Sequence, residues 1–164
     1  MKRVLLTGMS GTGKSSVIRE LALRGYKAVD TDYGGWSELV DLPVEKGSVR
    51  GAEKECLWRE DRIARLLASE DAEALFISGA ARNQVKFYGQ FDHIVLLSAP
   101  AALITERLLS RTNNPYGKDP DDLARVLAQK QSVEPALRRA ADLEIDTSVP
   151  LDQVVEKILR AVLR

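Results

Sequence analysis

Gly8-Met9-Ser10-Gly11-Thr12-Gly13-Lys14-Ser15 decides how the rest of the chain is read. It satisfies the pattern G-x-x-x-x-G-K-[ST] and lies between a short apolar run, Val4-Leu5-Leu6, and a segment in which Val17, Ile18, Leu21 and Ala22 recur at helical spacing. A strand that turns through glycines into a helix can converge several backbone N–H groups on one anion, at the positive end of the helix. Lys14 then offers a cation to the β- and γ-phosphates of a nucleotide such as ATP, and the Ser15 hydroxyl offers a ligand to Mg2+. Ser16 continues the cofactor-binding set on the first helical turn. The competing reading, a glycine-rich turn beside a surface lysine, does not account for the strand before the motif or the helix after it.

Working outward, Gly25 ends the helical pattern and Lys27-Ala28-Val29-Asp30 reads as a second strand. Ala74-Leu75-Phe76-Ile77, Ile94-Val95-Leu96-Leu97 and Leu143-Glu144-Ile145 supply three more. Helices are expected from Ala52 to Ser69, from Pro100 to about Leu109, from Asp121 onward, and from Leu151 to Leu163. Gly34 to Gly51, with Gly34-Gly35, Pro43 and Gly47, reads as turns and short helical pieces. Strands alternating with helices predict an α/β fold, a three-layer sandwich around a parallel five-stranded sheet. The order of the strands is not legible from periodicity.

Composition narrows the function. Twenty-four basic residues balance twenty-four acidic ones in a chain of 164, so no general basic field exists to hold a nucleic-acid backbone. Any anion must be gripped locally. Cys56 is the single cysteine and has no internal disulfide partner, no apolar run approaches a membrane span, and Met1-Lys2-Arg3-Val4 leads straight into a strand without a secretory apolar core. A cytoplasmic protein is expected, a monomer or weak homodimer, with a small-molecule partner and neither nucleic acid nor membrane.

Asp30 and Asp32 stand one residue apart at the end of the second strand, and period-2 geometry turns both side chains to one face. In a doubly wound sheet, the C-terminal ends of strands gather at one crevice, which brings this pair beside the phosphate loop. One carboxylate near Mg2+ and one near an acceptor hydroxyl is what phosphoryl transfer to an alcohol requires. A solvated turn is the plainer alternative, since Asp-Thr-Asp before Tyr-Gly-Gly is good turn composition.

With these residues in place, the chain resembles shikimate kinase and its neighbours among the nucleoside monophosphate kinase-like P-loop enzymes, over nearly its full length. The resemblance implies a P-loop NTP hydrolase fold of the nucleotide-kinase type, in one domain over 1–164, with a substrate-binding segment at about 33–62 and a lid at about 111–120. It also implies ATP and Mg2+ as cofactors and a small molecule as phosphate acceptor. By resemblance Asp30 supports the metal with Ser15, while Asp32 contacts the acceptor and is catalytic with Lys14. Trp58-Arg59-Glu60-Asp61 matches the helix whose arginine, here Arg59, grips the acceptor, and Ser78-Gly79 with Arg82 would complete that side. Glu106-Arg107-Leu108 matches the helix before the lid, so that Arg107 would lie against adenine, and Ser148 to Pro150 would wall the same pocket.

Two positions depart from the family pattern. Asn113-Asn114-Pro115 lacks the lid arginine, a role Arg111 could assume, and the late arginine that meets the shikimate carboxylate is replaced near Val133 or Glu134. Shikimate itself is therefore not the expected acceptor, and Glu134 is expected to repel an acid. A nucleotide-dependent switch remains the alternative of a different class, because it needs the phosphate loop but neither Asp32 nor Arg59. His93, Cys56 and Trp58 read as structural rather than chemical residues.

Overall fold

The structure, a computed structural model, describes residues 1–41, 54–112 and 118–163. Val4, Leu5 and Leu6 have no exposed surface, as expected of a strand covered on both faces. They lie in β1 (Lys2–Thr7), which is followed by α1 (Lys14–Leu23), β2 (Lys27–Asp30), β3 (Ser37–Asp41), β4 (Lys54–Trp58), α2 (Glu60–Leu67) and β5 (Ala74–Ser78). A 3₁₀ segment over Arg82–Gln90 leads to β6 (His93–Ser98), α3 (Ala101–Ser110), α4 (Pro120–Ser132), α5 (Glu134–Ala140), β7 (Leu143–Asp146) and α6 (Leu151–Val162).

The main sheet has five parallel strands in the order β2-β5-β1-β6-β7. Alternation along β1 sorts the core into two layers. Val4 and Leu6 pack with Val17 and Leu21 of α1 and with Val155 and Ile158 of α6, while Leu5 faces Ile63 and Leu67 of α2, Phe87 and Trp58. The expected sandwich is thus formed, with β1 at its centre. The end of α1 follows its sequence signal: Tyr26 N–H bonds the Leu21 carbonyl and Gly25 N–H that of Ala22, the paired closure of a Schellman motif.

The region before α2 departs from expectation. The helix expected over Ala52–Ser69 begins only at Glu60, and Lys54–Trp58 pairs antiparallel with Ser37–Asp41. Part of the stretch read as turns is therefore a strand, and residues 42–53 lie outside the described ones. Trp58 explains the outcome. Its backbone N–H donates to Asn83 Oδ1 at 2.9 Å and its carbonyl accepts from Asn83 Nδ2 at 2.9 Å, so a side-chain amide occupies the place of a neighbouring strand. Cys56, expected on an apolar helical face, is exposed on β4 instead, because a strand turns alternate residues outward. Trp58 is in the core, 1% exposed. His93 opens β6 opposite Val4, at the end of the sheet away from the glycine loop. Among the described residues, no helix is long and apolar enough to cross a membrane.

Gly79, directly after β5, has no room for a side chain. A Cβ there would come within 2.6 Å of Thr31 Oγ1 and 2.8 Å of Trp58 Nε1, two atoms already bonded to each other at 2.9 Å inside the core. Gly79→Ala should therefore cost about 1–3 kcal/mol through overpacking, read as a lower urea midpoint with an unchanged slope.

Candidate functional site

The loop after β1 turns through three glycines of positive φ, Gly8, Gly11 and Gly13. Gly8 sits at φ 153°, and a Cβ on it would come within 2.3 Å of the Leu97 carbonyl oxygen, so only glycine lets the loop pass this close to β6. Gly13 occupies the N-cap of α1 in a left-handed conformation, and no side chain caps the helix. The first N–H groups of α1 are left for a ligand. Lys14 Nζ donates to the carbonyls of Gly8 at 2.7 Å and Met9 at 2.9 Å, and Thr12 Oγ1 donates to Met9 at 2.8 Å. Burial pulls the Lys14 ammonium below the ordinary lysine range. Asp32 and Asp30 counter that shift, and the field of Arg111 adds to it.

The two aspartates make different contacts. Asp30 accepts the Ser15 hydroxyl on Oδ2 at 2.6 Å and the Asp32 N–H on Oδ1 at 3.0 Å. Asp32 lines the cleft beside Lys14. It keeps contact with solvent at the cleft mouth, yet loss of hydration against the walls pushes its carboxyl above the usual aspartate range; Lys14 opposes this, Asp30 reinforces it, and Arg111 opposes it. Ser15 and Asp30 offer hard oxygen donors side by side at the helix N-terminus, a set that suits Mg2+ completed by phosphate oxygens and water. Among the described residues no cluster of three or more His, Cys, Asp or Glu could form an all-protein metal cage.

The cleft has a volume of about 390 Å³ and joins the phosphate loop to Asp32, Arg107, Arg111, Thr147, Val149 and Leu151. Arg107 reaches across from α3, donating to the Gly11 carbonyl at 3.2 Å, to Thr147 Oγ1 at 2.8 Å and to the Thr147 carbonyl at 2.6 Å. Desolvation lowers its pKa, against the pull of Asp146 and Glu106. The stretch expected to wall this end runs past it, with Val149 and Leu151 lining the cleft. Ser148 donates its N–H, at 2.7 Å, and its hydroxyl to Asp146, and Pro150 is the N-cap of α6.

Other candidates lie elsewhere. Arg59 is an exposed residue at the N-cap of α2 and does not line the cleft. Arg82 pairs with Glu55 at 2.8 Å, Ser78 is buried at the end of β5, and Gly79 packs against Thr31 and Trp58. Glu134 does not face an acceptor as expected: it is 3% exposed and paired with Lys130 at 3.0 Å and Arg138 at 2.9 Å, one helical turn to either side. Its charge is met locally. The Asn-Asn-Pro departure and half of the expected lid fall on 113–117, outside the described residues. Val149 falls within the Ser148–Pro150 stretch expected to wall the pocket, whereas Thr147 and Leu151 went unassigned in the sequence, where they are ordinary residues after a short strand.

Comparison with known proteins agrees with this fold. The sequence matches the family model of the AAA domain over residues 4–128. A nucleotide-binding protein of Acidiphilium cryptum is 31% identical over 151 residues, covering 90% of this chain and 44% of its own length. The chain spans about half the length of the curated nucleotide-binding proteins it matches. A shikimate kinase of Thermodesulfovibrio yellowstonii is 28% identical over 171 residues, covering 98% of this chain and 94% of its own. Among solved structures, shikimate kinase from Acinetobacter baumannii in complex with shikimate superposes with a TM-score of 0.64 at 20% identity, over 99% of this chain and 93% of that one. A phosphate loop between β1 and α1, a parallel sheet centred on β1 and a family match over most of the length lead to one statement: the chain belongs to the AAA-domain family of P-loop proteins, in the kinase-like fold that shikimate kinase shares.

Proposed function

We propose that this protein is an ATP-dependent phosphotransferase that moves the γ-phosphoryl group of ATP to a hydroxyl or phosphate oxygen of a small acceptor. One observation carries the reading: Asp32, whose carboxyl holds its proton more tightly than an ordinary aspartate, opens into the same cleft as Lys14, Ser15 and Arg111. A binding module needs the loop but has no use for a base in that position.

In this reading the loop N–H groups and Lys14 hold the β- and γ-phosphates, and Ser15 with Asp30 would hold Mg2+, which would supply charge neutralisation to those phosphates. Asp32 in its ionised form accepts the acceptor's hydroxyl proton as the oxygen attacks phosphorus and ADP leaves, and Arg111 balances charge on the transferred group. Arg107 with Val149 and Leu151 forms the base end of the cleft. A nucleotide switch, the alternative reading, would keep the loop and lose nothing on removal of Asp32.

The acceptor we favour is a hydroxyl-rich metabolite or a nucleoside monophosphate, with shikimate disfavoured. Arg82 is engaged by Glu55, and Arg138 by Glu134 and Glu144. A free carboxylate enclosed without a cation pays several kcal/mol, enough to suppress binding by orders of magnitude. A coupled ADP-release assay with shikimate, gluconate and the nucleoside monophosphates side by side tests this. Turnover with a nucleoside monophosphate, its phosphate met by the exposed Arg59, is expected, and gluconate, which carries a carboxylate of its own, should fail with shikimate. Rapid turnover with shikimate alone, lost in Asp32→Asn, would overturn the acceptor assignment and leave phosphotransfer intact. ADP release that no acceptor stimulates would favour the switch.

A further inference from the structure

Thr147 follows β7, is 4% exposed, and no step above gives it a role. Its contacts join three separate segments of the chain: the end of β6, the glycine loop and α3. The Thr147 N–H donates to the Ser98 carbonyl at 2.8 Å, which anchors the residue to the end of β6. Its hydroxyl lies 2.8 Å from the Thr12 carbonyl oxygen and 3.3 Å from that of Ser98. A hydroxyl has one proton to give. Ser98 already accepts the backbone N–H and lies farther off, so the proton goes to Thr12. The hydroxyl oxygen then accepts from Arg107 at 2.8 Å, and the Thr147 carbonyl accepts from the same guanidinium at 2.6 Å.

The bond to Thr12 matters because of what shares that peptide. The chain has no cis peptide bonds among its described residues, so the Thr12 C=O and the Gly13 N–H point in opposite directions. Holding the carbonyl inward, toward β7, turns the Gly13 N–H outward. Gly13 is the N-cap of α1, one residue before Lys14, where a phosphate would sit. Left-handed glycine backbone is soft, and without this anchor the Thr12–Gly13 peptide could turn over. At the other end, the Arg107 bonds run along the edge of the guanidinium. A base would stack on its planar face.

We propose that Thr147 is a positioning residue for nucleotide binding: its single hydroxyl orients the Gly13 N–H toward phosphate and holds Arg107 in line with the base. The proposal rests on the nucleotide site described above and names the residue that sets its geometry. It does not depend on the identity of the acceptor.

Calorimetric titration with a non-hydrolysable ATP analogue and, separately, with inorganic tripolyphosphate tests it on wild type, Thr147→Val and Thr147→Ser. Valine keeps the shape and removes the hydroxyl; serine keeps the hydroxyl. We expect Thr147→Val to bind both ligands about tenfold more weakly and Thr147→Ser to stay within about twofold of wild type. The Gly13 amide proton of wild type should also move on adding tripolyphosphate. Equal affinity of Thr147→Val and wild type overturns the proposal, and so does a Thr147→Ser as weak as Thr147→Val, which would make the methyl group the important part. Weakened nucleotide with unchanged tripolyphosphate overturns the phosphate half, as does a Gly13 amide that does not respond. If Thr147→Val does not fold, Thr147→Cys, whose thiol is a weak donor, replaces it with the same expectation. A wild type that binds neither ligand removes the nucleotide reading as a whole, an outcome distinct from all of these.

Discussion

Lys14→Ala is expected to weaken binding of a non-hydrolysable ATP analogue by at least about a hundredfold, the loss that follows when a desolvated cation is removed from opposite an anion. Without phosphate, the Lys14 ammonium spends its donors on the Gly8 and Met9 carbonyls, 2.7 and 2.9 Å away, in a setting that already disfavours its charge. A triphosphate would meet that charge directly, with little water to screen it. The remaining loop N–H groups cannot compensate, since each carries only a partial charge. Thermal unfolding of the unliganded variant should change far less than its affinity, because Lys14 bonds loop carbonyls and not the core beneath them. Equal affinity in calorimetry would remove the phosphate-loop assignment.

Asp32→Asn separates chemistry from binding. Its kcat should fall by about 10²- to 10⁴-fold, the range for loss of a positioned base, while the ATP analogue binds within severalfold of wild type. Stability should move the other way. The folded state raises the Asp32 pKa above its unfolded value near 3.8, chiefly through burial. The native protein then holds this proton more tightly than the unfolded chain does. Ionising Asp32 therefore costs stability as pH rises from the unfolded pKa through the folded one, and the whole penalty is present above it. Asparagine removes that penalty. The variant should have a higher urea midpoint than wild type at pH 7, and the gap should close as the pH is lowered toward 4. Activity needs the ionised form, so the acid limb of the wild-type rate profile should lie above the ordinary aspartate range. A variant with full turnover, or one less stable at pH 7 than at pH 4 relative to wild type, would show that Asp32 is not the strained base of this site.

The local course of the chain around the glycine loop was set by nearby residues. The second strand falls on Lys27–Asp30 as its apolar pattern indicated, α1 begins at Lys14 and closes at Gly25, and Ser15 meets Asp30 only fifteen positions along the chain. Each of these depends on backbone hydrogen bonds and side-chain spacing within a short window, which is the information periodicity and capping carry. The alternation of strands and helices likewise indicated a parallel sandwich, since few other arrangements can bury such runs on both faces.

Where contacts cross the chain, that information runs out. The apolar residues of Lys54–Trp58 fit a helix as well as a strand, and the strand wins because the Asn83 amide, 25 residues away, pairs with the Trp58 backbone. Glu134 looks like an open acid in the sequence, yet the packing of α5 buries it and its neighbours one turn away neutralise it. Arg59 carries a family role by position but stands outside the cleft, and Thr147 has no distinguishing neighbours but lines it. The sequence by itself determined the phosphate loop, the strand–helix alternation and the two aspartates beside the loop. Tertiary structure alone decided the strand order, the β3–β4 pairing and the meeting of Arg107, Thr147 and the loop, because a hydroxyl proton shared between residues 135 positions apart has no local signature.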